Sequence, residues 1–342
     1  MKVLVTGVEG YIGAQLAPLL LERGHEVVGL DTGFYRDGRL YNHAPARFPQ
    51  VVNKDIRCVT EDDLKGFEAF VHLAELSNDP LGQFNPDVTY EINHLGTVEL
   101  ARKCKVVGIE RFVYTSSCSV YGVGSDAFMT EESEPNPQTA YAKCKTLVER
   151  DLSKMADDDA FSPTFLRNAT AYGASPRMRF DIVLNNLAGF AWTAKEIKVT
   201  SDGTPWRPLV HVLDICEAIA CTLQAPRDTI HNQIFNVGEN KANYRVREIA
   251  EIVSSVFPDC SLSIGKNGGD NRSYRVSFDK IHSQLPGFKC ARDAYIGAKE
   301  LLDLFRKIDM SVETFESRPF TRLKQLQYLV RTHQINDQLF WG

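Results

Sequence analysis

The chain opens on Lys2-Val3-Leu4-Val5-Thr6-Gly7-Val8-Glu9-Gly10-Tyr11-Ile12-Gly13, and these residues carry the fold in miniature. Lys2–Thr6 is a short apolar run, the pattern of a strand buried on both faces. Glycines then recur at every third position, 7, 10 and 13. Tyr11–Arg23 carries apolar side chains at 12, 16, 19 and 20, one helical face, and Gly24 stops it. Strand, glycine turn and helix in that order let a backbone approach a pyrophosphate at the helix N-terminus. A Gly-rich turn without a ligand has the same local sequence, so the residues further out must decide.

Glu26–Asp31 reads as a second strand, and Asp31 lies 18 residues beyond Gly13. A carboxylate there accepts hydrogen bonds from a ribose diol and repels a 2′-phosphate, which favours NAD over NADP. The alternatives are a turn-forming Asp, or help for a phosphate from nearby Arg36 and Arg39. Strands are predicted over Val51–Asp55, Ala69–Leu73, Arg111–Ser116 and Ser162–Arg167, with helices over Pro86–Val107 and Ala140–Met155. Such alternation predicts an α/β fold, a doubly wound parallel sheet of Rossmann type.

The pattern changes after about Ala174. Leu209–Gln224 reads as a strand end and helix, and Gln233–Gly238 as a strand rejoining the sheet. Val246–Val256, Asp293–Phe305 and Phe320–Trp341 read as helical, with irregular Gly-rich residues 265–273 between. The expected organisation is a cofactor domain over 1–174 plus about 209–238. An interleaved, smaller substrate domain takes 175–208 and 239–342.

Composition narrows the function classes. The 342 residues are 43% apolar and 24% charged, with net charge −5, and no basic stripe suggests nucleic acid. Apolar runs such as Ala17–Leu21 fall far short of the roughly 18 residues of a membrane span. The first residues lack the succession of a signal peptide, so a cytoplasmic location is expected. Eight cysteines are scattered without a CxxC pair. They read as reduced small hydrophobes, and no metal site is expected.

Tyr141 and Lys145, four apart on a predicted helix, share one face. A lysine beside a phenol favours the phenolate, which can take a proton from an alcohol. A surface helix carries the same spacing by chance. Upstream, Phe112–Ser117 ends a strand on a hydroxyl, where α/β sites form and where Ser117 could polarise a reacting oxygen.

Together these pieces resemble the extended short-chain dehydrogenase/reductase family, in its nucleotide-sugar epimerase/dehydratase branch. The resemblance spans most of the chain. It is carried by TGVEGYIG (6–13), Asp31, Asp55-Ile56, His72-Leu73-Ala74, Asn93, SSCSVYG (116–122), YAKCK (141–145), LRNATAYG (166–173), RPLVHVLD (207–214) and FNVG (235–238). It implies that Ser117, Tyr141 and Lys145 are catalytic. Gly7, Gly10, Tyr11, Ile12 and Gly13 would contact the pyrophosphate of NAD, Asp31 the ribose, and Asp55 and Ile56 the adenine. Leu73, Ala74 and Glu75 would edge the cofactor, and Asn93 and Ser116 would flank its nicotinamide half.

On the substrate side the resemblance implies a nucleotide-diphosphate sugar. Its ligands would be Asn186 within Asn185-Asn186-Leu187, Arg207, Arg177 and Arg272, with Ser77 and Asn78 lining the sugar pocket; the alternative for the arginines is surface ion pairing. Two departures stand out: Thr170 occupies the place of an Asn in UDP-galactose 4-epimerases, and Asn267 lies near that of an arginine, for which Arg272 would substitute. Cys118-Ser119 stands where 4,6-dehydratases carry Asp-Glu and UDP-glucuronate decarboxylases a Glu, which disfavours dehydration. Cys118 reads either as a packed thiol or as an acid for epimerisation at C3 or C5.

The leading reading is an NAD-dependent nucleotide-sugar epimerase working through a transient 4-keto sugar. An NAD(P)H-dependent 4-ketoreductase of deoxysugar biosynthesis would run only the return half. A non-catalytic NAD-binding sensor or scaffold would not need all of Ser117, Tyr141 and Lys145. A dehydrogenase of a small free metabolite would leave Arg207 without a diphosphate. The family also implies a homodimer through Pro86–Val107 and Ala140–Met155; charge and the short apolar runs lead to the expectation of neither nucleic acid nor membrane as partner.

Overall fold

The computed structural model describes residues 1–42, 47–123, 127–266 and 272–342. Seven strands make the central sheet: β1 (Lys2–Thr6), β2 (Glu26–Asp31), β3 (Gln50–Asn53), β4 (Ala69–His72), β5 (Arg111–Ser117), β6 (Ser162–Asn168) and β7 (Gln233–Val237). All pairs are parallel, in the order β3-β2-β1-β4-β5-β6-β7. The strand order reverses between β1 and β4, and a crevice opens beyond their C-terminal ends. There the glycine turn meets the end of β4. Gly7 has φ +68°, and a Cβ on it would stand 2.9 Å from the Ala74 amide nitrogen. A Cβ on Gly13 would stand 2.3 Å from the Gly7 carbonyl oxygen. Only glycine allows this approach.

The longer helices are α1 (Gly13–Glu22), α2 (Thr97–Val106), α3 (Ala140–Met155), α4 (Val183–Thr193), α5 (Val212–Gln224), α6 (Val246–Val256), α7 (Ala294–Lys307) and α8 (Arg322–Arg331). Successive strand residues point to opposite faces, so Val3 and Val5 join Leu16, Ile215 and Ile219 of α1 and α5. Leu4, Phe70 and Phe112 join Leu100 and Val148 of α2 and α3 on the other face. A third cluster, with Phe180, Leu184, Ile249, Leu301 and Phe305, builds the core beyond the sheet.

Two expectations change. The single helix predicted over Pro86–Val107 comprises Pro86–Thr89, a π-helical stretch Tyr90–Gly96, and α2. The wider turn holds Asn93, fully buried, where its amide bonds both the amide and the carbonyl of Leu76, at 2.9 and 3.1 Å. The end of the chain is helical only over α8. Residues 332–341 turn back, with His333 and Leu339 in the left-handed region and Asn336 accepting from Gln338 and Phe340 amides. An antiparallel bridge, Ile335 to Trp341, closes the turn. This tail packs through Leu326, Leu329, Ile335 and Leu339 onto the cluster of Leu4, Phe34 and Ile56, beside the sheet rather than in the expected second domain. Asn267, and most of the Gly-rich stretch 265–273, lie outside the described residues.

Candidate active site

Two cavities open at the switch point and share the walls Ile12, Leu73, Glu75 and Arg179. Gly7, Gly10, Tyr11, Ile12 and Gly13 line the first. Asp31, Asp55 and Ile56 also line it, as do Leu73, Ala74 and Glu75. Asp31 is fixed by the amides of Gly33 and Glu9, at 2.8 and 3.0 Å, and burial pushes its carboxyl above the ordinary value. Helix α1 is capped at Ile12 with no side-chain bond; the Ala14 and Gln15 amides go to the carbonyls of Gly10 and Ile12, and the positive end of the helix dipole faces the glycine turn. This helix end and the Asp31 carboxylate fit a dinucleotide.

The second cavity gathers Ser117, Tyr141 and Lys145 with Ser77, Asn78, Thr170, Arg207 and Arg272. Thr139 caps α3 by accepting from the Ala142 amide at 3.2 Å, so Tyr141 and Lys145 follow one turn apart. Lys145 is 3% exposed and donates to the Thr115 carbonyl. It also pairs with Glu75, whose other oxygen accepts from the Tyr114 hydroxyl at 2.6 Å.

This pairing corrects the expected electrostatics of the tyrosine. Burial raises the Tyr141 phenol and the Glu75 carboxylate adds to it, while Lys145 and the Ser117 hydroxyl act downward. The net direction is upward. Lys145 is held above its ordinary value: burial opposes its charge, but Glu75 and Tyr141 outweigh it.

Four predicted residues turn elsewhere. Asn93 supports Leu76, as above, and Ser116 donates to Glu149 at 2.5 Å, within a buried pair of Glu149 with Arg167. Ser116 reaches the second cavity, but its hydroxyl is committed to that carboxylate. Arg177 bonds Glu9 at 3.1 Å and the carbonyls of Tyr35 and Arg36, outside both cavities. Asn186 donates to the Phe180 carbonyl at 2.8 Å. In each case a protein acceptor satisfies the buried polar group. Cys118 is 1% exposed, directs its thiol to the Arg167 carbonyl, and is pushed up by burial. It is a core thiol.

The arginines on the substrate side are organised by carboxylates and carbonyls. Arg207 donates to the carbonyls of Trp206, at 2.8 Å, and of Arg272, and Arg272 pairs with Asp79. Asn78 donates to Asp181 at 2.8 Å, and Asp181 also takes Arg179 at 2.8 Å. Asp181 and Arg322 are among the charged lining residues that sequence reasoning missed. Arg322 arrives from α8, with no local motif to announce it.

Residues 3–238 match the NAD dependent epimerase/dehydratase family. The chain belongs to that family. The chain is similar to the UDP-glucose 4-epimerase of Corynebacterium glutamicum, 28% identical over 301 residues covering 83% of this chain and 90% of that protein. The UDP-glucuronate 4-epimerase of Thermodesulfobacterium geofontis is 26% identical, over 74% of this chain and 80% of its own. Among solved structures, MoeE5 in complex with UDP-glucuronic acid and NAD has a TM-score of 0.76 and 26% identity, covering 90% of this chain and 99% of its own. The NAD-dependent hexosamine 5,6-dehydratase TunA, at 22% identity and TM-score 0.79 over 90% of this chain and 99% of its own, shares the fold. By family the protein is an NAD-dependent enzyme of the epimerase/dehydratase type acting on nucleotide sugars.

Proposed function

We propose that the protein is a 4-epimerase of a nucleotide-diphosphate sugar. One observation carries this reading: Ser117, Tyr141 and Lys145 face the same cavity as Arg207 and Arg272. Proton transfer and diphosphate recognition thus share one space. NAD, bound along the first cavity, supplies reversible hydride transfer at C4. Tyr141 takes the proton of the C4 hydroxyl and later returns it, Ser117 donates to the same oxygen, and Lys145 offsets the charge on the phenolate. Arg207 and Arg272 hold the diphosphate by charge-assisted bonds while the sugar turns over.

The names of the relatives support a uridine diphosphate as the nucleotide. The absence of a carboxyl at Cys118 and Ser119 supports epimerisation over loss of water. In this reading Asp31 holds the ribose, Asp55 and Ile56 the adenine, and residues 1–174 with 209–238 form the cofactor part. Residues 175–208 and 239–317 complete the sugar side. We place the protein in the cytoplasm as a homodimer through Pro86–Thr89, α2 and α3. Among the described residues no helix is long and apolar enough to cross a membrane, and no cluster of His, Cys, Asp or Glu could hold a metal ion.

An isotopic experiment tests the reaction. UDP-hexose deuterated at C4 should give an epimerised product that keeps its deuterium, with none released in free NADH. Incorporation from deuterated NAD(P)H would instead make it a ketoreductase. Tight binding of NAD and sugar nucleotide without turnover would leave a sensor.

A further inference from the structure

Arg322, in the first turn of α8, is 3% exposed and lines the first cavity. Its neighbour Arg179 lines both cavities but is already paired with Asp181, and donates to Ser77 at 3.2 Å. Arg322 differs. Its guanidinium lies 4.0 Å over the Tyr35 ring and hydrogen-bonds no described residue; only its backbone amide reaches Asp181, at 3.3 Å. Asp181 and Asp31 act on it through space, and burial with Arg179 pushes it down to about 10. With no acceptor among the described residues and a place on the cavity wall, its donors are left to whatever fills that cavity.

Its place along the cavity says which ligand. Asp31, Asp55 and Ile56 lie toward one end, and Glu75 and Ser77 toward the junction with the catalytic cavity. Arg322 lies on Tyr35, four residues past Asp31, and its backbone amide reaches Asp181, which lines the catalytic cavity, so it stands between the Asp31 end and the junction. The middle of a dinucleotide is its diphosphate.

We propose that Arg322, delivered by helix α8, is the counter-charge for the cofactor's diphosphate. The same C-terminal segment braces the lining residues Phe34, Thr32 and Asp55. Gln325 donates to the Phe34 carbonyl at 2.9 Å, and the Trp341 indole to the Thr32 carbonyl at 2.7 Å. Arg57, which clasps Asp55, stacks 3.7 Å over Phe340. The phosphates would thus be held between the glycine turn and a planar, bidentate donor.

This inference rests on the cofactor reading above, and the experiment separates the two. Binding of ADP, adenosine and 2′-AMP to purified full-length protein is measured by calorimetry for wild type, Arg322→Met and Arg322→Lys. Arg322→Met should weaken ADP at least tenfold and leave adenosine within twofold, and Arg322→Lys should recover part of the ADP affinity. Because the methionine removes a buried charge, its ligand-free Tm should equal or exceed that of wild type, while the shift produced by NAD should shrink. Equal losses for ADP and adenosine, unchanged ADP binding, or a loss confined to 2′-AMP would overturn the assignment. Failure of wild type to bind either ADP or adenosine would instead overturn the cofactor reading, and this one with it.

Discussion

Lys145 has two partners with opposite consequences for proton transfer. Tyr141 gains from its charge as a phenolate, while Glu75 competes for that charge and raises the phenol. Glu75→Gln should therefore move the acidic limb of the kcat–pH profile to lower pH, and Lys145→Ala should move it higher. A profile unmoved by Glu75→Gln would remove Glu75 from the electrostatics of the base. Tyr141→Phe keeps the ring but loses the proton acceptor. Turnover should fall about 10²–10⁴-fold, the usual worth of a positioned acid/base, with NAD and nucleotide-sugar affinities little changed in a titration. Retained turnover would sink the mechanism.

The elements differ in how openly the sequence declared them. Glu26–Asp31 and Ala140–Met155 have the predicted bounds, because a doubly buried strand and a capped amphipathic helix are set by local pattern. The π-helical stretch was not legible. Its wider turn is set by Asn93 reaching Leu76, a contact across 17 residues that no local window contains. Nor was the return of the tail, since Leu339 adopts left-handed backbone that a leucine does not signal. Asn93→Ala would strand the Leu76 amide and carbonyl, at about 1–3 kcal/mol for each buried group left unsatisfied. Urea unfolding should show that loss, whereas a change near zero would mean that the π-helical stretch relaxes to regular helix without it.

At the scale of the molecule, His72 ties three elements together. Its ring bonds Thr6 of β1 at 2.8 Å and Thr97 of α2 at 2.9 Å. Burial, and then Lys145, push it down to about 3. The unfolded chain takes up a proton near pH 6.5 that the folded chain refuses. Its stabilising contribution is therefore full above pH 6.5 and is lost as pH falls toward 3. A His72→Gln variant should have a flatter dependence of Tm on pH across that window; an identical slope would acquit the ring. The same scale explains which site residues were legible. The glycine turn and strand ends announce themselves, because a local motif marks them: glycines at 7, 10 and 13, and an apolar run ending on a polar residue. Arg177 and Arg179 are only two residues apart, yet one turns to Glu9 and the other into the cavities. Long-range partners decide between them.

The tail on the cofactor side has a consequence for synthesis. A ribosome delivers the glycine turn, Asp31 and Asp55 some three hundred residues before α8 and Trp341. The nascent chain can thus build its sheet from the N-terminus onward with Phe34 and Ile56 still unroofed. Any dinucleotide met during translation finds a half-built berth and leaves it. Arg322 and the bonds to Thr32 and Phe34 come last, so a chain interrupted before α8 should keep its grip on a dinucleotide weak and brief.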